Sequence, residues 1–253
     1  MKPVTRREIL EIALRQSAVD CGCAPEDFLS SENAVFQSQN QPGARKYLAL
    51  PHLLDFVSYG HGIVASGREE LLPLARRHLE AFPGHAAFEA AGIVSLARAL
   101  APLNLAPVYD GEYHLPDPDQ LRAHACPFPL RVLERNALND LYRPEWSNAL
   151  CESRRELDVL AVGAYDGERL VGLAGCSADC EAMWQIGVDV LPEYRARGIA
   201  KALTSRLAFE TLRRERVPFY CCGWANVASA RNAIACGFCP AWAQLTVKPV
   251  EPQ

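Results

Sequence analysis

The stretch MWQIGVDVLPEYRARGIAKAL, residues 183–203, predicts the local structure around which the rest of the chain is organised. An apolar, alternating run ends at Leu191 and Pro192, a charged turn follows, and helical spacing begins after Gly198. The pattern therefore predicts a strand, a tight loop and a helix. The first N–H groups of such a helix lack partners within it and lie at the positive end of the helix dipole, so the loop suits a phosphate.

Charge and backbone freedom in the same loop also favour an anionic ligand. Arg195 and Arg197 bring two mobile guanidinium groups. Gly198 lets the chain approach a ligand closely, because it carries no Cβ. The loop alone is also compatible with an ordinary strand-to-helix turn that carries surface arginines, so the residues that follow are needed to decide.

A second pattern, NVASARNAIACGF at residues 226–238, lies one strand further along the chain. Asn226 is a good helix N-cap, Ser229 falls one turn into the helix, and Gly237 ends it. The intervening run at 217–222 is typical of a buried strand. The chain is therefore expected to continue as strand, helix and strand.

Together, the two patterns resemble motifs A and B of the GNAT superfamily of acyltransferases. The pyrophosphate loop of that family reads Gln/Arg-x-x-Gly-x-Gly/Ala, and Arg195, Gly198 and Ala200 fill its three fixed positions. The helix at 226–238, from Asn to Gly-Phe, is similar to motif B. The order of predicted elements from about residue 127 to 248 also resembles the GNAT fold, so the resemblance covers roughly half of the chain.

The resemblance implies a mixed α/β fold for residues 121–253, with a splayed mixed sheet flanked by helices. Within it, spacing predicts helices over 135–141 and 146–155. We predict a smaller α/β domain of unknown role in residues 1–120, with helices over 68–82 and 88–100 and a linker at Pro116–Asp119.

For the acyl donor, the resemblance implies acetyl-CoA lying between two parallel strands that splay apart. Backbone groups of two strand residues would bind the pantetheine and the thioester carbonyl, the loop and first helical turn would hold the pyrophosphate, and the second helix would contact the pantetheine. The residues assigned in this way are Val188, Val190, Arg195, Ala196, Arg197, Gly198, Ile199, Ala200, Lys201, Asn226 and Ser229.

The implied reaction is direct transfer of an acetyl group to a primary amine of a small molecule, assisted by proximity and a proton acceptor. The family's usual proton-handling residues are absent, since Ala233 stands where a tyrosine is common and Trp184 where a glutamate is common. The catalytic candidates that replace them are Glu181, acting through water, and Tyr220. The candidates for lining the amine pocket are Trp146, Asn148 and Trp184.

Because the usual acid and base are missing, two further functions remain open at this point. One is a sensor or regulatory module that binds acyl-CoA without turnover, and the other is a protein N-acetyltransferase. Core packing explains the tryptophans as well as an amine pocket does. A homodimer is compatible with the sequence, which does not determine the oligomeric state.

Composition argues against several other classes of protein. The 253 residues are 49% apolar and 22% charged with a formal net charge of -4, which is typical of a globular protein and gives no reason to expect a nucleic-acid or membrane partner. Thr5 and Glu8 form a capping-box pattern, which predicts an N-terminal helix in place of a signal peptide. We therefore expect a cytoplasmic location.

The ten cysteines require a separate interpretation. Several lie inside apolar runs that read as strands, where cysteine acts as a small buried apolar residue. The alternative is a zinc site that combines Cys236 and Cys239 with Cys176 and Cys180. We predict no metal, because two short-spaced pairs on turns, the usual zinc pattern, are not evident.

Overall fold

The computed structural model describes residues 4–250, apart from the side chains of Tyr109 and Asp110. The α-helices are α1 (Arg6–Cys21), α2 (Leu72–Ala81), α3 (Ala90–Leu100), α4 (Ile199–Arg213) and α5 (Val227–Ala235). The strands are β1 (Ala34–Gln37), β2 (Leu54–Ser58), β3 (Ile63–Gly67), β4 (Leu105–Pro116), β5 (Leu130–Glu134), β6 (Asp158–Asp166), β7 (Arg169–Ser177), β8 (Met183–Val190), β9 (Val217–Gly223) and β10 (Phe238–Pro249).

The described chain divides into two compact units that interleave along the sequence. Unit 1 comprises residues 4–12, 114–222 and 226–240, and unit 2 comprises residues 13–113, 223–225 and 241–250. The predicted linker is a hydrogen-bonded turn of unit 1, in which the N–H of Asp117 donates to the Gly237 carbonyl at 2.9 Å. The division into independent domains at residue 120 stays a prediction.

Unit 1 contains a mixed sheet in the order β9-β8-β7-β6-β5. All neighbouring pairs are antiparallel except β8 and β9, which run parallel. Helix α4 packs closely on β7, because a Cβ at Gly172 would lie 2.9 Å from side-chain atoms of both Ile199 and Leu203. The predicted mixed α/β fold, with helices against a mixed sheet, is confirmed.

The helices expected at 135–141 and 146–155 are not α-helices, so this prediction is wrong. The segment forms four short 3₁₀ turns, Arg135–Ala137, Asn139–Leu141, Pro144–Trp146 and Glu152–Leu157. Pro144 lacks an N–H donor, and asparagine and serine, which recur in this segment, have low helix propensity.

Unit 2 contains a second group of paired strands and a core. Strand β3 pairs with β1 in parallel and with β2 antiparallel, and β2 pairs with the unit 2 part of β10. The helices predicted at 68–82 and 88–100 are present as α2 and α3, the first preceded by a 3₁₀ turn. Their apolar sides and the strands share one buried cluster, which contains Ala75, Leu79, Leu96 and Leu100 from the helices and Leu54, Phe56, Ile63 and Leu245 from the strands.

None of the described helices is both long and apolar enough to cross a membrane. All ten cysteines are free thiols, and five of them are buried. Among residues 4–250, no group of three or more His, Cys, Asp or Glu residues is placed to hold a metal ion.

Candidate active site

The sheet of unit 1 opens between β8 and β9. Their parallel pairing runs from Met183 opposite Val217 to Ile186 opposite Tyr220, whereas β8 continues to Val190 and β9 to Gly223. On its other side, β8 remains paired with β7 as far as Val190. Within residues 4–250, the last part of β8 therefore has a strand neighbour on only one side.

The backbone groups of β8 that face this opening can be assigned from one hydrogen bond. The N–H of Leu191 donates to the Val171 carbonyl on β7 at 3.0 Å. Because successive residues of a strand direct their N–H and C=O groups to alternate sides, those of Val188 and Val190 point away from β7. An extended ligand in the opening can therefore pair with β8 as a strand would, although the Val190 carbonyl already accepts a hydrogen bond from Arg195 Nε at 3.1 Å.

The loop after β8 presents backbone N–H groups at the start of α4. Ala196 has φ 60 and Gly198, the N-cap, has φ 80, so two residues adopt the left-handed conformation. The N–H of Ala202 donates to the Gly198 carbonyl at 3.1 Å and closes the first helical turn. The N–H groups of residues 199–201 precede that bond and have no acceptor within the helix, which is the geometry of an anion site.

The two arginines of this loop are exposed, and their partners among the described residues carry no charge. Arg195 bonds to the Val190 carbonyl, and Arg197 Nη2 donates to the Glu193 carbonyl at 3.1 Å. The Arg197 guanidinium also lies 5.2 Å from the centre of the Tyr194 ring. The Tyr194 hydroxyl donates to Asp166 at 2.9 Å, which holds the ring in place. Both positive charges therefore remain available for an anion.

Helix α5 begins beside the last pair of the parallel ladder. The Asn226 side chain caps it by accepting the N–H of Ser229 at 3.2 Å. The Ser229 hydroxyl lies 2.8 Å from the hydroxyl of Tyr220, a buried residue of β9. Burial raises the pKa of Tyr220, with the Ser229 hydrogen bond opposing the shift. The structure thus brings together Asn226, Ser229 and Tyr220 at the opening.

Glu181 is not near this opening. It lies exposed in the turn before β8, whereas the unpaired residues occupy the other end of that strand. The strand rise places Val188 roughly 17 Å along β8 from Met183. The side chain of Trp184 lies half-buried against the core around α4, on the strand face that it shares with Ile186 and Val188.

The opposite face of β8 is covered by residues 146–150. Trp146 is buried in a core cluster with Leu150 and Leu173, and Asn148 is exposed. Asn148 bonds to Asp189 of β8, a residue that the sequence analysis did not single out. The available signal was a carboxylate within a largely apolar strand, two positions after a glycine.

A strand pair that opens at its C-terminal end, followed by an anion-binding loop and a capped second helix, defines the GNAT class of fold. Residues 122–239 match the model of the acetyltransferase (GNAT) family, so this part of the chain is a GNAT-type acetyltransferase domain. No curated protein matches the chain in sequence.

Several solved structures are similar to the chain. A GCN5-related N-acetyltransferase-like protein from Streptococcus suis is 18% identical over 62% of this chain and 68% of its own, with a TM-score of 0.43. A GCN5-related N-acetyltransferase from Sphaerobacter thermophilus is 20% identical over 64% and 58%, with a TM-score of 0.45. A tandem GNAT protein from the clavulanic acid biosynthesis pathway is 16% identical over 72% and 68%, with a TM-score of 0.44.

Proposed function

We propose that the protein is an acetyl-CoA-dependent N-acetyltransferase that acts in the cytoplasm on a primary amine of a small molecule. The observation that carries the proposal is the opening between β8 and β9, which continues directly into the loop and first turn of α4. The free edge of β8 can pair with an amide-containing arm, and the N-terminus of α4 can bind a pyrophosphate. A ligand that carries both groups in that order fits the site.

The donor would be held largely by backbone groups. Val188 and Val190 direct theirs into the opening, where an N–H can polarise the thioester carbonyl and stabilise the oxyanion that forms on attack. The N–H groups of residues 196–201 and the side chains of Arg195, Arg197 and Lys201 would bind the pyrophosphate. Asn226 and Ser229 would contact the pantetheine at the start of α5.

In the proposed reaction the amine nitrogen attacks the acetyl carbonyl carbon, a C–N bond forms and the C–S bond breaks. The amine loses a proton to water, and the departing thiolate takes one up. Tyr220 is the proposed proton donor, because its hydroxyl lies at the opening, 2.8 Å from that of Ser229. Glu181 remains the second candidate for proton transfer, but it lies in the turn before β8, at the far end of the strand from the opening, whereas a general acid or base acts at hydrogen-bond distance or through one water.

Two substitutions separate these assignments. Tyr220→Phe is expected to lower kcat about 10²-fold without weakening acetyl-CoA binding, the size usual for loss of one acid catalyst. Glu181→Gln tests the alternative, and a changed pH–rate profile together with a lower kcat would assign the role to Glu181. An unchanged kcat in Tyr220→Phe would rule out the tyrosine as the acid.

The proposed function itself is tested by binding and turnover. We expect acetyl-CoA to raise the melting temperature of the purified protein and free CoA to be released when a probe amine is added, with spermidine, L-lysine and kanamycin as probes. Stabilisation without CoA release would favour an acyl-CoA sensor. Acetylation of peptide N-termini alone would favour a protein N-acetyltransferase, and absence of stabilisation would contradict all three functions.

A further inference from the structure

Two glycines leave a flat patch on the face of β7 and β8 that carries residues 146–150. Gly175 and Gly187 lie directly opposite each other in the antiparallel pair. A Cβ at Gly175 would lie 2.0 Å from the Ala149 carbonyl oxygen, and one at Gly187 would lie 1.8 Å from that of Asn148. The backbone of residues 146–150, the clamped segment, therefore packs directly on the two glycines, where any side chain would collide with it.

The next cross-strand pair on the same face fixes the clamped segment by apolar packing and by hydrogen bonds. Leu173 of β7 is fully buried and packs with Trp146 and Leu150. Its partner Asp189 of β8 accepts three hydrogen bonds, which all come from the clamped segment. The N–H groups of Asn148 and Ala149 each donate to Oδ2 at 2.9 Å, and the side-chain amide of Asn148 donates to Oδ1 at 2.7 Å.

The three hydrogen bonds to Asp189 hold the clamped segment rigidly, because of their charge and their geometry. Hydrogen bonds to an ionised carboxylate are roughly twice as strong as those between neutral groups. Bonds to both oxygens also fix the orientation of the carboxylate relative to the clamped segment. The side chain of Asn148 is therefore held in one position although it is exposed.

The clamp acts at the strand positions that border the donor opening. Val188 and Val190 flank Asp189 in sequence and direct their backbone groups away from β7 into the opening, whereas the Asp189 side chain stands on the face that carries the clamped segment. Residues 188–190 of β8 thus have two roles: their backbone edge faces the donor opening, and the Asp189 side chain fixes the clamped segment on one face of the strand. The side-chain amide of Asn148 is held there by Asp189, next to the strand residues that border the opening.

We propose that Asp189 is a positioning residue for the acceptor: it holds the clamped segment beside the opening and thereby sets the affinity for the amine. The inference rests on the proposed function. It assigns no contact between Asp189 and the donor, whose groups on β8 belong to the backbone. Loss of the clamp is therefore expected to affect one substrate and not the other.

The test substitution is Asp189→Asn, which keeps the shape of the side chain but places an NH₂ group where N–H donors now bond. We expect KM for the acetylated probe amine, from spermidine, L-lysine and kanamycin, to rise about tenfold or more, as loss of a charge-assisted bond implies. The Kd for acetyl-CoA is expected to stay within about twofold, and amide hydrogen exchange in residues 146–150 to become faster. Glu134→Gln, the same chemical change at an exposed carboxylate of β5 that pairs with Arg214, is the control.

Asn148→Ala separates the clamp from a direct contact. If Asn148 acts through Asp189, the effects of Asp189→Asn and Asn148→Ala on KM are less than additive in the double variant. Unchanged acceptor KM in Asp189→Asn, or equal weakening of donor and acceptor, would overturn the inference. Failure of the wild-type protein to bind acetyl-CoA or to acetylate any probe would instead overturn the proposed function on which it rests.

Discussion

Arg45 in unit 2 and the loop residues Arg195 and Arg197 in unit 1 have opposite environments. In unit 2, Arg45 is 3% exposed and forms an ion pair with Asp20, which is equally buried. The carboxylate of Asp20 also accepts the Arg45 backbone N–H at 2.9 Å and the Gln16 amide at 3.0 Å, and the guanidinium lies 5.2 Å from the centre of the Trp242 ring. In unit 1, Arg195 and Arg197 are exposed and bond to neutral carbonyl groups.

The difference shows how a site for an anion can be distinguished from a structural charge. A charge that is buried needs a partner and further hydrogen bonds within the protein, so it has little capacity left for a ligand. An arginine that stays exposed and donates only to neutral acceptors keeps its full charge available for an anionic ligand. The contacts of an arginine therefore indicate its function better than its position in a motif.

The largest effect is expected for Arg45→Met, which leaves the carboxylate of Asp20 buried without its cation. Breaking a buried ion pair from one side costs about 3–5 kcal/mol, and we expect the free energy of unfolding to fall by that amount. Urea denaturation measures it. Arg7→Ala, which removes the exposed Arg7–Glu11 pair of α1, is the matched control and is expected to change stability by less than about 0.5 kcal/mol. Similar losses of unfolding free energy in both variants would show that the buried ion pair contributes no more to stability than the exposed one.

The double substitution Arg195→Ala with Arg197→Ala is expected to act on binding and not on stability. Loss of two exposed cations beside a pyrophosphate should raise the Kd for acetyl-CoA about 10- to 100-fold, and more at low salt than at high salt. Isothermal titration calorimetry at two ionic strengths checks this. A large fall in melting temperature without a change in Kd would mean that these arginines are structural.

The smallest effect concerns a buried carboxylate that titrates near neutrality. Asp158 is 1% exposed, and burial raises its pKa to about 6, against the opposing hydrogen bond from the Cys151 N–H at 2.8 Å. Since the folded-state pKa lies above the unfolded one, the contribution of this group to stability is full below about pH 4 and is lost as the pH rises through 6.

We expect Asp158→Asn to remove about 1–2 kcal/mol of this pH dependence, a value reduced from the full linkage to allow for solvent screening. Urea denaturation of both proteins at pH 4.5 and pH 7.5, values chosen to bracket the transition at roughly 6, measures the difference. Parallel pH profiles for the two proteins would show that Asp158 keeps an ordinary pKa in the folded state.

The sequence predicted those parts of unit 1 that depend on local patterns. Gly198 and Asn226 mark helix starts that a few neighbouring residues determine, and both lie at the starts of α4 and α5. The helices predicted at 135–141 and 146–155 are wrong, because the apolar spacing suggested α-helices, whereas the N–H groups of Asn148, Ala149 and Cys151 donate to aspartate side chains. Asp189 and Arg45 could not be assigned, since their partners lie 40 and 25 residues away along the chain.

The glycine pair beneath the clamped segment limits how this domain can acquire a new acceptor. Any side chain at Gly175 or Gly187 would collide with a carbonyl group, so changes at these two positions displace the whole segment. Ser147 and Asn148, which are exposed, can vary without that displacement. Changes of acceptor specificity, by design or by natural divergence, are therefore expected to proceed through side-chain exchange on a fixed backbone. Libraries at Ser147 and Asn148 are the efficient starting point.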